Sequence, residues 1–446
     1  MKDSLSFKNI NKLAIPALIS GVSEPLLSLT DVAIVGNIKE HATESLAAVG
    51  IVTTFLSMLI WVLRQTRSAL SAIVSQYLGA EKLDEIENLP AQTAYLITSL
   101  GIFIIFLTLP FTEEIFKLYN ASDTILAYCV EYYKIRIFGF PFTLFTISVF
   151  GTFRGLQNTF YPMLIAITGM VVNIIFDFLF VFGLEPLMPA MGVKGAALAS
   201  VLAQMIMAVM SVVLLLQKTR ISMRLRLPVN KELKRFMQMV LNLFIRTLAL
   251  NVTLYLGTSF ATAYGESFIA AYTIAINIWF LGAFLIDGYA SAGNILSGRL
   301  YGAKDYKLLL KLGNTLMKYG FVFGIIMAII GFTFYKPIGT IFTSDKEVLE
   351  KFYSVFWIVL LMQPFCGLAF IFDGIFKGLG KMKQLRNLLL VATFTVYVPA
   401  LWMLNQFDYK LKAIFIAMTF WIVARSFPLI YQFRKIFLPL VDERKN

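Results

Sequence analysis

Charged residues, and the side chains on which most enzymes depend, are scarce in this chain of 446 residues. Charged residues make up 15% of the sequence against 58% hydrophobic residues, and His41 is the single histidine. An ordinary soluble domain is about a quarter charged, so a soluble enzyme is excluded. One histidine in a loop cannot assemble a metal site or a catalytic dyad, so an integral-membrane enzyme is not expected either.

Cysteine is almost absent as well. Cys129 and Cys366 lie in apolar stretches far apart in the sequence, which argues against a disulfide framework and a thiolate metal site. The formal net charge is +13, but the basic residues gather in the connections between apolar stretches. This pattern indicates membrane topology rather than a nucleic-acid partner. No nucleic acid, metal centre or cofactor is expected.

Long apolar runs are what the sequence has in abundance. About 20 apolar residues cross the hydrocarbon core of a bilayer, and polar breaks divide the chain into about twelve such runs. The predicted fold is therefore an all-α integral membrane protein with about twelve transmembrane helices. The predicted spans are residues 13–37, 48–72, 92–111, 127–150, 161–183, 192–216, 237–262, 269–297, 311–335, 352–376, 385–405 and 411–433.

Lysine and arginine are concentrated in the connections on one side of these spans. By the positive-inside rule, both termini of this multi-pass chain are predicted to be cytoplasmic, in the cytoplasmic (inner) membrane. The first apolar run has no small-residue cleavage site, so it is interpreted as a retained span and not as a signal peptide. Apart from the lipid bilayer, no macromolecular partner is indicated, and a monomer is expected.

The second half of the chain repeats the first. The recurring residues, always 223 positions apart, are Gly79 and Gly302, Pro141 and Pro364, Gly151 and Gly374, and Gly155 and Gly378. Because each half has six spans, both halves enter the membrane from the same side. Two six-helix lobes related by pseudo-twofold symmetry are predicted, at residues 1–216 and 237–446. The basic connection at residues 217–236 is interpreted as a cytoplasmic topology anchor beside anionic lipid.

Acidic residues inside the predicted spans are the candidate functional groups, because an ionisable group there costs about 2.5–3.5 kcal/mol on insertion scales. Glu24 and Asp31 share a face of the first span, and Asn173 and Asp177 share a face of the fifth. The equivalent positions of the second half carry no acid matching Asp31 or Asp177. A structural need of the duplicated scaffold would recur in both halves. The asymmetry therefore favours a cation or proton site, with a structural role as the alternative.

Other polar or helix-breaking residues are candidates for gating or for the substrate cavity. Arg64 and Asp287 occupy equivalent positions of the two halves, which suggests an inter-lobe pair. Arg246 could pair with an acid in a span or meet an anionic substrate. Pro16 removes one backbone hydrogen bond from the first span, as a bend point or a static kink. Ser200 offers a hydroxyl within a stretch of small residues.

Several ordered stretches resemble the multidrug and toxic compound extrusion (MATE) family over nearly the whole chain. They are PLLSLTDVAIVGNI, SQYLGA, GTFRGLQNT and NIIFDFLFVFG in the first half, and SGRLYGAKD and GIFKGLGKM in the second. Arg64, Arg246 and the Asp287-Gly288 pair make the chain similar to the DinF-like branch. The resemblance implies the MATE fold, in which two six-helix lobes enclose a central cavity.

The resemblance also implies roles for individual residues. Asp31 matches the aspartate that binds the coupling proton or cation, and Asn173 and Asp177 match the polar pair of the fifth span. Ser200 stands where relatives often have threonine. Pro16 matches the proline at which the first span is thought to bend. Glu24 departs from the glutamine of some relatives, and could add a titrating group.

The implied function is secondary active antiport. Such a protein exports amphipathic, often cationic, drugs and toxic organic compounds by alternating access, in exchange for H⁺, with Na⁺ as the alternative coupling ion. A Na⁺ ion would be held by Asp31, Asn173, Asp177 and Ser200. The alternative function is a flippase or exporter of an anionic or lipid-linked amphiphile, with Arg64, Arg246 and Arg425 lining its cavity.

Overall fold

The computed structural model describes residues 5–38, 41–121, 123–184, 186 and 188–442. Within them the chain is helical, and its only β-type pairing is an isolated bridge between Leu184 and Met188. Ten helices there are long and apolar enough to cross a membrane, or eleven with one bent pair. The 29-residue helix Phe7–Val35 corresponds to the first predicted span. The predicted all-α integral membrane fold is confirmed.

Nine α-helices lie in the described part of the first half. They are α1 (Phe7–Val35), α2 (Ala42–Leu63), α3 (Gln65–Gly79), α4 (Leu89–Thr108), α5 (Thr112–Lys117), α6 (Asp123–Arg136), α7 (Phe140–Gly155), α8 (Phe160–Phe182) and α9 (Val193–Lys218). A 3₁₀ turn, Ile137–Gly139, separates α6 from α7 within the fourth predicted span. Pro141 explains this break, because proline cannot continue a helix from the preceding turn but fits the first turn of a new one.

Nine further α-helices follow in the second half. They are α10 (Glu232–Ala263), α11 (Glu266–Gly302), α12 (Tyr306–Thr333), α13 (Tyr335–Phe342), α14 (Lys346–Leu361), α15 (Gln363–Gly378), α16 (Met382–Val391), α17 (Val398–Gln406) and α18 (Leu411–Asp442). The bent pair is α14 and α15, which meet at 50° next to Pro364, the counterpart of Pro141. A π-helical segment, Ala392–Tyr397, joins α16 to α17.

The two halves repeat the same helix crossings as well as the same residues. A Cβ atom added to Gly151 of α7 would lie 2.9 Å from the carbonyl oxygen of Arg67 in α3. A Cβ atom added to Gly374 of α15 would lie 2.0 Å from that of Ala290 in α11. Arg67 and Ala290 are themselves repeat equivalents. A second pair of crossings obeys the same relation: Gly155 with Ser71, and Gly378 with Asn294. Glycine lets the helix backbones approach closely in both halves, as the predicted duplication requires.

Helix contacts divide the chain into two compact units. Of the described residues, the C-unit contains 5–18, Ser75–Glu81 and 237–442, and the N-unit contains Ile19–Val74 and Lys82–Phe236. These boundaries differ from those of the predicted lobes, because the start of α1 and the end of α3 pack within the C-unit. A Cβ atom on Gly288 would lie 2.7 Å from the Ala14 carbonyl oxygen, and one on Gly302 would lie 1.8 Å from that of Gln76.

The connection between the halves is packed on the N-unit through Gln92 of α4. The Gln92 Nε2 donates to the carbonyl oxygens of Arg226 at 2.8 Å and Pro228 at 3.2 Å. Its Oε1 accepts from the backbone N–H of Asn230 at 2.8 Å. The Asn230 Oδ1 accepts from the backbone N–H of Glu232 at 2.9 Å, as a capping side chain does at the start of a helix, here α10. The role of the connection as an anchor beside anionic lipid stays a prediction.

Replacing Gly374 by alanine should destabilise the protein. The new Cβ atom would force α15 away from α11, and overpacking of this kind costs about 1–3 kcal/mol. The melting temperature of the purified protein in detergent should therefore fall by several degrees. Gly50→Ala in α2 is the matched control, because nothing lies within 4 Å of a Cβ atom there. Equal melting temperatures for the two variants would contradict the close crossing.

Candidate functional site

The N-unit encloses four buried polar side chains that come from three helices. Asp31 lies on α1, Asn173 and Asp177 lie one turn apart on α8, and Ser200 lies on α9. None of the four is more than 3% exposed. The small residues at the start of α9 allow this helix to approach α8 closely, since a Cβ atom on Gly195 would lie 2.6 Å from the backbone of α8.

Both carboxylate oxygens of Asp31 accept hydrogen bonds in this cluster. The Asn173 Nδ2 donates to Asp31 Oδ1 at 2.7 Å, and the Ser200 hydroxyl donates to Asp31 Oδ2 at 3.0 Å. The same Asn173 nitrogen donates to Asp177 Oδ2 at 2.5 Å. Asn173 therefore links the two acids, and the four residues form one connected group, which we call the carboxylate network.

Two oxygens of the carboxylate network have no hydrogen-bond donor. Asn173 Oδ1 and Asp177 Oδ1 are buried and accept no hydrogen bond from any described residue. Buried polar atoms are nearly always paired, so these two oxygens have capacity for a further ligand. Oxygen is the ligand that a hard cation prefers, and a proton added to either acid would create a new O–H donor beside them.

Arg136, at the end of α6, is a charged neighbour of the network that was not among the predicted site residues. Its Nη1 donates to Gln204 Oε1 at 2.9 Å, and its guanidinium interacts electrostatically with both acids of the network. Gly139 makes room for this pair, because a Cβ atom there would lie 1.8 Å from Gln204 Oε1. The sequence offered one signal that could have identified Arg136, which is its position as a basic residue inside the fourth predicted span.

The C-unit holds a buried ion cluster with the opposite balance of charge, in which two arginines surround one acid. Arg246 of α10 and Arg425 of α18 both donate to Oδ2 of Asp373 in α15, Arg425 at 2.9 Å. None of the three side chains is more than 9% exposed. The Arg425 guanidinium also lies 4.7 Å from the centre of the Trp421 ring. Arg246, a predicted cavity or gating residue, thus pairs with an acid inside a span, and that acid is Asp373.

The C-unit positions equivalent to the acids of the network are uncharged. Asp31 and Asp177 correspond to Leu254 and Ala400, 223 positions later. Close to these positions, the hydroxyl of Thr253 lies 3.3 Å from that of Thr393, which also accepts from Trp421 Nε1 at 3.1 Å. Leucine and alanine therefore stand in the C-unit where the N-unit has its two carboxylates.

The remaining candidates belong to different parts of the chain. Arg64, between α2 and α3, donates to the carbonyl oxygen of Gly21 at 3.2 Å within the N-unit. Asp287 is exposed on α11 of the C-unit. Pro16 lies inside α1, which is helical on both sides of it. Glu24 lies on α1 too, but its side chain is outside the described residues. The Arg64–Asp287 gate and the bend at Pro16 stay predictions.

Acidic groups buried among membrane-length helices, in a chain with little mass outside those helices, are typical of multi-pass transporters. This is the class of protein that the fold and the carboxylate network define. The family model MatE matches residues 16–179 and 243–403. The chain therefore belongs to the MatE family of multidrug and toxic compound extrusion transporters, which handle small-molecule substrates. The two matched segments occupy corresponding positions in the two halves.

Individual relatives are similar over most of their length. DNA damage-inducible protein F of Escherichia coli is 26% identical over 397 residues, which cover 87% of this chain and 84% of the relative. The probable multidrug resistance protein NorM of Thermotoga maritima is 24% identical over 425 residues, which cover 94% and 90%. The Vibrio cholerae MATE transporter VcmN in its bent form superposes with a TM-score of 0.89 at 19% identity, covering 98% of both chains. This likeness confirms the expected MATE fold.

Asp373→Asn should destabilise the protein strongly. It removes the carboxylate shared by two buried arginines, and breaking a buried ion pair costs about 3–5 kcal/mol. We expect a lower melting temperature and earlier aggregation of the purified protein in detergent. Asp287→Asn makes the same chemical change at an exposed position of the same unit, and should leave both unchanged. Equal effects of the two substitutions would contradict a stabilising role for the cluster.

Proposed function

We propose that this chain is a secondary active antiporter, which exports amphipathic, often cationic, small molecules in exchange for H⁺ by alternating access. The observation that carries the proposal is the carboxylate network, with two buried acids joined by one amide and two oxygens that lack donors. The family membership and the similarity to a probable multidrug resistance protein support export of this kind of substrate.

The charges around the network suit one monovalent cation. With Asp31 and Asp177 both ionised, the nearby guanidinium of Arg136 leaves one negative charge without compensation. Uncompensated charge inside a membrane bundle is costly, so a single H⁺ or Na⁺ that removes it should bind favourably. The site therefore calls for one coupling ion and no other cofactor.

Asn173 is the reason to favour H⁺ over Na⁺. Its Nδ2 donates to Asp31 at 2.7 Å and to Asp177 at 2.5 Å, so an N–H donor occupies the place between the acids. A Na⁺ ion bridging both carboxylates would have to displace this donor, since only oxygen atoms can coordinate it. A proton can add to either acid without such a rearrangement.

Protonation would loosen the contact between α1 and its neighbours. An ionised acceptor makes hydrogen bonds roughly twice as strong as a neutral one, so protonated Asp31 would hold Asn173 and Ser200 less firmly. Bending of α1 at Pro16 would then reduce the cavity and release the substrate. The membrane potential contributes about 2.3 kcal/mol for each charge that crosses 100 mV.

Topology completes the proposal. By the positive-inside rule, the basic connections favour cytoplasmic termini, with the chain as a monomer in the cytoplasmic membrane. The alternative of a flippase for an anionic or lipid-linked amphiphile has less support. Arg246 and Arg425 are buried and already donate to Asp373, and Arg64 donates to a backbone carbonyl. These contacts reduce the capacity of the three arginines for an anionic substrate.

Asp31→Asn should abolish coupled efflux while leaving folding intact. The amide has the shape of the carboxyl group but cannot take up a proton at neutral pH. Dye efflux measured in inverted membrane vesicles, with a proton gradient and a sodium gradient imposed separately, should be driven by the proton gradient in the wild type. Dye efflux should fall to the background level in the Asp31→Asn variant.

Asp84→Asn is the matched control for this experiment, because Asp84 is exposed in the short 3₁₀ turn Leu83–Ile86 that precedes α4. It should transport like the wild type. Normal efflux by Asp31→Asn would overturn the site, and transport driven by sodium alone would overturn proton coupling. No transport under either gradient would favour the flippase.

Arg136→Gln should make the site bind its cation more tightly. It removes a positive charge close to both acids, and a change of roughly 1.4 kcal/mol in cation affinity is tenfold. The pH dependence of efflux in vesicles should then move by about one unit towards alkaline pH. Arg136→Lys keeps the charge and should stay close to the wild-type profile. A shift in the opposite direction, or an equal shift in both variants, would contradict electrostatic control by Arg136.

A further inference from the structure

A groove with a volume of about 420 Å³ lies between α16 and α18 of the C-unit. α18 packs on the π-helical segment and on α17, both of which follow α16 in the chain. The groove lies beside α16, before the π-helical segment begins. Basic residues are frequent at this end of both helices: Lys381, Lys383 and Arg386 on or next to α16, and Arg434 and Lys435 on α18.

The wall of the groove combines polar and apolar side chains. Its polar members include Asn387, Gln432 and Lys435, and its apolar members are Leu388, Val391 and Ile436. Asn387 and Val391 lie one turn apart on α16, with Val391 farther from the basic end and 54% exposed. On α18 the order is reversed, since the polar Gln432 lies one turn deeper than the apolar Ile436, so the change from donors to hydrocarbon runs along α16.

Lys435 gives the described wall of the groove a positive charge. Among the described residues, no carboxylate forms an ion pair with Lys435 or with its neighbours Arg434 and Arg386. Arg386 instead donates to Asn387 Oδ1 through Nε at 3.0 Å and Nη2 at 2.7 Å. These two bonds fix the Asn387 amide and leave its Nδ2 as a donor for a ligand.

We propose that this groove binds one anionic phospholipid from the leaflet at the basic end of α16 and α18. The lipid phosphate would contact the Lys435 ammonium and the amide donors of Asn387 and Gln432. The upper part of an acyl chain would lie along Leu388 and Val391. Basic pockets between transmembrane helices bind anionic head groups in this way. A soluble anion would gain nothing from the apolar wall, and a zwitterionic lipid would offer no net charge to Lys435.

Native mass spectrometry of the full chain in detergent tests the proposal. The protein is titrated with phosphatidylglycerol and, separately, with phosphatidylcholine of the same acyl chains. We expect about fivefold tighter binding of the first phosphatidylglycerol molecule, because one lysine near a membrane surface contributes about 1 kcal/mol with anionic lipid. Lys435→Ala should abolish this preference. Val391→Trp should weaken both lipids by filling the apolar end.

Arg434→Ala is the matched control, since Arg434 is the adjacent exposed basic residue but does not line the groove. It should keep the preference of the wild type. Size-exclusion profiles and melting temperatures establish that the variants are folded. Equal binding of the two lipids by the wild type, a preference retained by Lys435→Ala, or an equal loss in Arg434→Ala would overturn the site. The measurement does not depend on transport, so it is independent of the proposed coupling mechanism.

Discussion

Charge inside a membrane bundle must find its partners within the protein, because hydrocarbon supplies none. The N-unit surrounds Asp31 with the neutral donors of Asn173 and Ser200 and keeps one guanidinium nearby. The C-unit brings two guanidiniums into direct contact with Asp373. The first arrangement leaves negative charge that a cation can remove. The second leaves no acid without a partner, so it is suited to hold helices together and not to exchange an ion.

This difference is superimposed on a common scaffold. Gly151 and Gly374 lie where equivalent pairs of helices cross. Helices α5 and α13 also begin at equivalent residues, Thr112 and Tyr335. Such crossings depend on backbone approach and are insensitive to the polar groups elsewhere on the same helices. Duplication can therefore preserve the bundle while one half retains carboxylates and the other has leucine and alanine in their place. The proposed single coupling ion follows from this divergence of the two halves.

The parts of the structure that could be predicted from the sequence are those fixed by periodicity or by the repeat. Twelve apolar runs and the shared spacing of 223 were sufficient for the helices and the duplication. Asp31, Asn173, Asp177 and Ser200 could be grouped from their spacing and from the family resemblance, although only the fold places their atoms in contact. Arg136 was missed, because its electrostatic partners lie on helices that are distant in sequence.

The unit boundaries were not predictable for a similar reason. Hydropathy identifies where a helix begins and ends. It does not identify the neighbouring helix on which each turn packs, because that depends on close contacts such as the one between Gly288 and Ala14. The π-helical segment in the eleventh span was not predicted either, because an apolar run of this length gives no sign of a wider turn within it.

Helix α1 has a special position as a consequence of these contacts. Its residues 5–18 belong to the C-unit, and the part from Ile19 onward, which carries Asp31, belongs to the N-unit. Pro16 lies immediately before this division, where one backbone hydrogen bond is absent and bending is least costly. A change of hydrogen bonding at Asp31 acts on one part of the helix, while Ala14 holds the other part against Gly288. The proposed antiport therefore rests on a helix whose two parts pack in different units.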